Sequence, residues 1–136
     1  MDTQRAQSIL SEVVKNTPGL HGVLLLTDDG FPVVSTLQAG ETEMRSTAVG
    51  AILCDSGERG ISELGLGVMD AIVTVGSEGF FIVRRVAAGI CLMAVASQDV
   101  LLGTALLRIR RALPQLYECL DHRAEVGDPT GPETET

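Results

Sequence analysis

The length of the chain, 136 residues, favours a single domain and is sufficient to bury a sizeable core. Apolar residues make up 45% of the sequence, which is typical of a globular protein, whereas aromatics make up only 3%, which disfavours a site that stacks on a flat cofactor or on bases. The formal net charge of −8 disfavours binding to nucleic acid phosphates and to anionic lipid.

The cysteines and the N-terminus indicate the compartment. Cys54, Cys91 and Cys119 lie far apart in apolar stretches, and an odd number without a Cys-x-x-Cys motif argues against a disulfide scaffold or a zinc site. The N-terminal sequence MDTQRAQS has no apolar signal core, and no apolar run is long enough to cross a membrane. We therefore expect a soluble cytoplasmic protein with no cofactor, no metal, no nucleic acid partner and no direct membrane insertion.

The first elements are predicted to be a helix and a hairpin. Apolar residues at helical spacing predict a helix over Gln4–Asn16, and a compact apolar run predicts a strand over His21–Thr27. The triplet Asp28-Asp29-Gly30 is a strong hairpin turn, from which Phe31–Leu37 returns as a second strand. Because Pro32 cannot donate a ladder hydrogen bond, this second strand should lie at an edge of the sheet.

A long helix predicted over Thr42–Leu64 has two faces with contact character. The face expected on the sheet contains Val49, Leu53, Gly57, Gly60, Ile61 and Leu64. The opposite face contains Met44, Ala48, Ala51, Ile52, Asp55, Arg59 and Ser62. Its first four residues are apolar or small where a surface helix is usually polar, which fits a second contact face, a helix buried all round, or a face assignment offset by one residue. The helical glycines either permit close packing or, at Gly57 and Gly60, mark a break.

Three strands are predicted next, over Val68–Gly76, Phe80–Ala87 and Gly89–Ser97, as an antiparallel meander. The first is apolar on both alternating sets of positions, except at Asp70 and Thr74, and therefore expects cover on both faces. At a sheet edge, its unpaired N–H and C=O groups would be a template for pairing with another chain. The predicted dimer surface consists of Val68, Met69, Ala71, Ile72, Val73, Thr74 and Val75.

The remaining sequence predicts a last helix and a tail. In the middle strand of the meander, Arg84 and Arg85 point to opposite faces. The helix is predicted over Val100–Leu120, with a kink or break at Pro114, because proline lacks an N–H and clashes with the preceding turn. The domain is expected to span 1–121, followed by a disordered acidic tail over 122–136, which is polar and lacks apolar anchors.

The element order is helix, two strands, helix, three strands, helix. It predicts an α+β fold with a five-stranded antiparallel sheet between helices. No catalytic constellation is evident, because His21 and His122 are far apart in sequence and no phosphate-binding loop is present. The turn explains Asp28-Asp29 better than a metal site does.

Three features together carry a family resemblance over Gln4–Leu120. They are the element order, the segment GLHGVLLLTDDG at Gly19–Gly30 followed by Phe31–Ser35, and the Gly89–Ser97 strand that leads into the Leu- and Arg-rich helix Val100–Leu113. In these features the chain resembles the roadblock / dynein light chain family, and within it the bacterial MglB-type regulators of small Ras-like GTPases.

The resemblance implies a homodimer in which two Val68–Gly76 strands join the sheets and two Thr42–Leu64 helices lie side by side, facing a small Ras-like GTPase. The implied partner face consists of Met44, Arg45, Ala48, Ala51, Ile52, Asp55 and Arg59. The family supplies no nucleotide-binding residues to carry over. The chain is therefore expected to be no enzyme, but at most to stimulate hydrolysis in the partner's active site, with Arg45 or Arg59 inserted there as a less favoured variant.

Two alternatives remain open. One is a scaffold or motor-subunit adaptor without effect on GTP hydrolysis. The other is a small-molecule sensor of the PAS or GAF type, which would need a roomy pocket with convergent polar groups. Short turns and strands rich in Val and Ala argue against the sensor.

Overall fold

The computed structural model describes residues 1–127, with side chains up to Leu120. Its elements in chain order are α1 (Thr3–Lys15), β1 (Leu20–Thr27), β2 (Pro32–Ser35), α2 (Glu41–Glu63), β3 (Ile72–Gly76), β4 (Gly79–Ala87), β5 (Ile90–Ser97) and α3 (Leu102–Gly127). This order and the α+β class confirm the sequence prediction.

The five strands form one antiparallel sheet in the order β2-β1-β5-β4-β3. Helices α1 and α3 cover one face of the sheet and α2 covers the other. β2 and β3 are the two edges, which confirms the edge position expected from Pro32. None of the helices in residues 1–127 has both the length and the apolar character that crossing a membrane requires.

The core lies on both faces of the sheet because the central strands are apolar at successive positions. On β1, Val23 and Leu25 pack toward α1 and α3, whereas Leu24 and Leu26 pack toward α2. The cluster under α1 and α3 is the larger of the two. We call the smaller one the α2 cluster; it consists of Leu24, Leu26, Cys54, Val83, Cys91 and Met93. Since burying one large apolar side chain contributes about 1.5–3 kcal/mol, the fold depends mainly on the larger cluster.

Strand β3 is shorter than predicted. It begins at Ile72, so the strand predicted from Val68 starts four residues too early. Gly65 and Gly67 adopt positive φ angles of 65° and 94° after α2, and they turn the chain away from helical geometry. This connection, and not the strand, contains three residues that were predicted to lie in the dimer strand: Val68, Met69 and Ala71.

The connection from α2 to β3 contains apolar residues because it packs against both core clusters, not because it pairs as a strand. Met69 packs against the α2 cluster, and Ala71 packs against the larger cluster. Between them, Asp70 forms an ion pair with Arg84, at 3.4 Å from Oδ1 to Nη2, and a longer one with Arg110 at 3.7 Å. An irregular segment that packs on two sides thus has the same apolar pattern as a buried strand.

Helix α3 is continuous across Pro114, so of the kink or break predicted there the break is wrong. Pro114 is exposed, whereas Leu113 and Leu116 beside it are buried and hold both halves of the helix on the sheet. Packing of this apolar face outweighs the lost hydrogen bond.

Both ends of α3 differ from the prediction. The helix begins at Leu102 rather than at Val100, which is buried ahead of it. It continues beyond Leu120 to Gly127, so the first residues assigned to the tail, 122–127, are helical. The rest of the predicted tail, 128–136, lies outside the described residues.

We expect the C-terminal segment to contribute little to stability. Deleting Gly127–Thr136 should leave the melting temperature nearly unchanged, because this polar segment offers little apolar area to offset the entropy of ordering it. A thermal melt followed by circular dichroism measures the effect. A loss of several degrees would show that the segment docks on the domain.

Candidate functional site

The outer face of α2 is the first part of the candidate site. Residues Thr47, Gly50 and Cys54 form the buried line of the helix against the sheet. Met44 and Ile52 are 67% and 65% exposed on the other side. Of the predicted partner face, the exposed members are Met44, Arg45, Ala48, Ile52, Asp55 and Arg59, whereas Ala51 is half-buried against the α2 cluster.

The predicted sheet-facing side of α2 is partly wrong. Val49, Gly60 and Leu64 are exposed, and Leu53 and Ile61 are only half-buried. The reason is that small residues, not large ones, mark the buried line, so the helix is rotated relative to the predicted face. As a result Val49, at 40% exposure, extends the exposed apolar surface beside Ile52.

Two of the three glycines of α2 permit close packing, and none breaks this helix. A Cβ at Gly50 would lie 3.1 Å from the Met93 sulfur, and a Cβ at Gly57 would lie 2.6 Å from the Met69 sulfur. A Cβ at Gly60 would meet nothing within 4 Å. Close approach therefore explains the first two glycines, at a cost of about 1 kcal/mol each in helix propensity.

A charged network fixes α2 on the sheet. Arg85 donates from Nε and Nη2 to the two carboxylate oxygens of Glu58, at 2.7 and 2.9 Å, and from Nη1 to Asp28 at 2.9 Å. The hydrogen bond to Glu58 raises the pKa of Arg85, so the guanidinium stays charged. Arg84 reaches Asp70 on the other side of the sheet, as the alternation along β4 predicts.

We expect Arg85→Ala to lower the free energy of unfolding by about 2 kcal/mol, because two carboxylates lose a charge-assisted, partly buried partner. Because the pKa of Arg85 is raised on folding, its contribution is present at neutral pH and is lost on the alkaline side as the pH rises through the folded-state value. Urea denaturation measures the change. The matched control is Arg59→Ala, since Arg59 and Asp55 form an exposed pair worth less than about 1 kcal/mol. Equal losses in both variants would contradict the assignment.

An open groove lies between α2 and the β1–β2 turn. It has a volume of about 420 Å³, and we call it the acidic groove; its lining residues are Asp28, Asp29, Gly30, Ala48, Ala51, Ile52, Asp55 and Arg85. Three carboxylates and an apolar wall meet here, but Asp28 is held by Arg85 and Asp55 pairs with Arg59. The groove therefore places Asp29 beside an apolar wall, an arrangement that fits one cationic side chain with an apolar stem. It brings four predicted partner-face residues together with turn residues that sequence reasoning assigned only to the hairpin.

The two arginines predicted as insertion candidates are both exposed. Arg45 pairs with Glu41, and the Nε of Arg59 lies 3.2 Å from an oxygen of Asp55. Each pair is an i,i+4 contact on the surface of the same helix, which is weak and easily exchanged. No group of three or more potential metal-ligating side chains is found among the described residues.

The β3 edge is the second part of the candidate site. Thr74, Val75 and Gly76 are exposed, with Val75 at 71%. Ile72 packs against the α2 cluster and Val73 against the larger one. On its outer side, β3 has no strand neighbour within residues 1–127.

Comparison with known proteins places this fold in a family. The family model for the Roadblock/LC7 domain matches residues 7–96. Among solved structures, a Roadblock/LC7 domain from Streptomyces avermitilis superposes with a TM-score of 0.78 at 16% identity, covering 84% of this chain and 96% of that one. No curated protein matches the sequence.

Two further solved structures carry the name MglB. The gliding protein MglB from Thermus thermophilus gives a TM-score of 0.74 at 20% identity, covering 85% of this chain and 88% of that one. MglB from Myxococcus xanthus gives 0.76 at 16% identity, covering 90% and 99%. These likenesses agree in fold, and the family model spans most of the chain. The chain belongs to the Roadblock/LC7 domain family.

Proposed function

We propose that the chain is a homodimeric, non-enzymatic regulator or adaptor that binds a small Ras-like GTPase through the outer face of α2. The observation that carries the proposal is the run of exposed apolar residues on this helix, at Met44, Val49 and Ile52. Roadblock domains are generally regulatory rather than catalytic, and MglB proteins are among the structural neighbours. A cytoplasmic location, expected from three cysteines without a Cys-x-x-Cys motif, is part of the proposal.

The position of β3 supports the proposed dimer. Two copies of this strand related by a two-fold axis perpendicular to the sheet would form one continuous antiparallel sheet. That operation keeps equivalent faces together, so both α2 helices would lie on the same side. The exposed apolar residues of two helices would then form one larger surface with charged residues at its rim.

The acidic groove fits a partner that presents a basic residue. Asp29 carries a carboxylate there, and Ala48 and Ile52 offer apolar area for the methylene stem of lysine or arginine. Regulation would act by ordering the switch segments or the attacking water of the GTPase, without a catalytic group from this chain. The same surface serves a pure adaptor, which differs only in leaving the hydrolysis rate unchanged.

Affinity capture tests the partner class. The tagged full-length chain is incubated with lysate of its native cells, supplemented with either GDP or a GTP analogue, and bound proteins are identified by mass spectrometry. We expect a small GTPase to be enriched in one nucleotide state and to bind again as a purified protein. Capture of no GTPase, together with a melting shift on addition of a small metabolite, would favour the sensor hypothesis.

Single-turnover GTP hydrolysis then separates the two forms of the proposal. The purified GTPase is loaded with GTP, and its hydrolysis is followed with and without the chain. Acceleration supports a regulator that stimulates hydrolysis. An unchanged rate with intact binding supports an adaptor.

A further inference from the structure

Two cysteines from different elements meet in the α2 cluster. Cys54 on α2 is 1% exposed and Cys91 on β5 is 0% exposed. Their sulfur atoms lie 2.6 Å apart, with the Cys91 thiol donating to the Cys54 sulfur, although the residues are 37 positions apart in sequence. Both thiols are free. Cys119 is also buried, but it belongs to the larger cluster on the other face of the sheet.

We propose that Cys54 and Cys91 form a reversible intramolecular disulfide by exchange with a low-molecular-weight disulfide, and that this bond locks α2 onto β5. The bond requires the two sulfur atoms to lie about 2.05 Å apart, so only a short movement separates the thiol pair from it. The site is independent of any GTPase, because it is assembled entirely within one protomer.

The positions of the two thiols assign them different roles. Burial raises the pKa of both, so exchange has to begin at the thiol that local opening exposes. Cys54 is that first nucleophile, because it lies on α2, whereas Cys91 lies on the central strand β5. Its thiolate attacks one sulfur of the small disulfide and releases one thiol, which leaves Cys54 in a mixed disulfide.

The second exchange completes the lock. Cys91 attacks the Cys54 sulfur, the mixed disulfide breaks, and a second small thiol leaves with the remaining electron pair and a proton. Two protein thiols are thus oxidised as one small disulfide is reduced to two thiols. Because both sulfurs are buried, exchange needs transient opening of α2. Among its residues only Thr47, Gly50 and Cys54 are fully buried, which favours such local opening.

Refolding in a glutathione redox buffer tests the pairing. Reduced full-length chain is unfolded in urea and diluted into a mixture of reduced and oxidised glutathione, and peptide mapping then locates every disulfide. We expect the Cys54–Cys91 link to dominate over the two pairings that involve Cys119. The oxidised protein should melt about 10 °C higher, since a cross-link across this separation restricts the unfolded chain.

The variants make the outcome decisive. Cys119→Ala should keep both the cross-link and the melting shift, whereas Cys54→Ala and Cys91→Ala should lose both. Dithiothreitol added to the folded, oxidised protein should reverse the shift. Refolded protein that lacks the Cys54–Cys91 link, or whose main link involves Cys119, would overturn the proposal. A Cys54–Cys91 link without a rise in melting temperature would contradict the claim that the bond locks α2 onto β5.

Discussion

Val75→Lys is expected to convert a dimer into a folded monomer. Val75 is 71% exposed at the β3 edge, so a lysine there should barely change the stability of one protomer. In a two-fold interface each substitution occurs twice, which places like charges on both copies of the paired edge and desolvates them. We expect the dissociation constant to rise by at least about 100-fold, equivalent to about 2.7 kcal/mol.

Light scattering across a concentration series measures this change, and a thermal melt checks the protomer. Ile72→Lys would be a poorer test, because Ile72 packs against the α2 cluster and a charge there would also destabilise the fold. The control is Leu101→Lys, which changes a residue of similar exposure that does not belong to β3. Monomeric wild type at micromolar concentration would contradict the joined sheet.

Ile52→Asp is expected to leave the fold intact and to reduce GTPase binding by roughly 30- to 1,000-fold, or about 2–4 kcal/mol. Ile52 is 65% exposed and lines the acidic groove, so the free protein tolerates a carboxylate there. In a complex that carboxylate would replace an apolar contact and be desolvated at the centre of the interface.

Two measurements on this variant are needed: its thermal melt and its affinity for the GTPase identified by capture. Leu107→Asp is the matched control, because it adds the same charge to an exposed apolar position on α3, across the sheet. Lost stability in Ile52→Asp would show that the helix face is misassigned. Intact stability with unchanged binding would place the partner contact elsewhere.

Local chemistry explains why the hairpin turn and the edge position of β2 could be predicted from the sequence. The Asp-Asp-Gly turn before β2 requires a positive φ, and Gly30 adopts one of 87°. Proline at the start of β2 indicated an edge without knowledge of the other strands. Both inferences depend only on neighbours in sequence, and both are confirmed.

The buried face of α2 and the ion pairs of Arg85 depend on contacts that sequence spacing does not reveal. Thr47 is polar, yet it lies on the buried line of α2 because its hydroxyl donates to the Met44 carbonyl at 3.0 Å. A prediction that looks for large apolar residues on the buried side therefore assigns the wrong face of α2 to the sheet. Arg85 finds partners 27 and 57 positions away, and only the assembled fold brings them together. The dimer and partner residues remain predictions.

The other edge of the sheet has a consequence for how far assembly proceeds. Strand β2 has only four residues and begins at Pro32, and its register with β1 shifts between Leu25 and Leu26. A short, irregular edge with a missing donor is a poor template for a further strand. Pairing through β3 would therefore occupy the sheet edge that can accept a further strand. The two edges left at the ends of the joined sheet would both be β2 strands, which pair poorly. Addition of strands would stop at two protomers, so that a continuous sheet need not become a fibre.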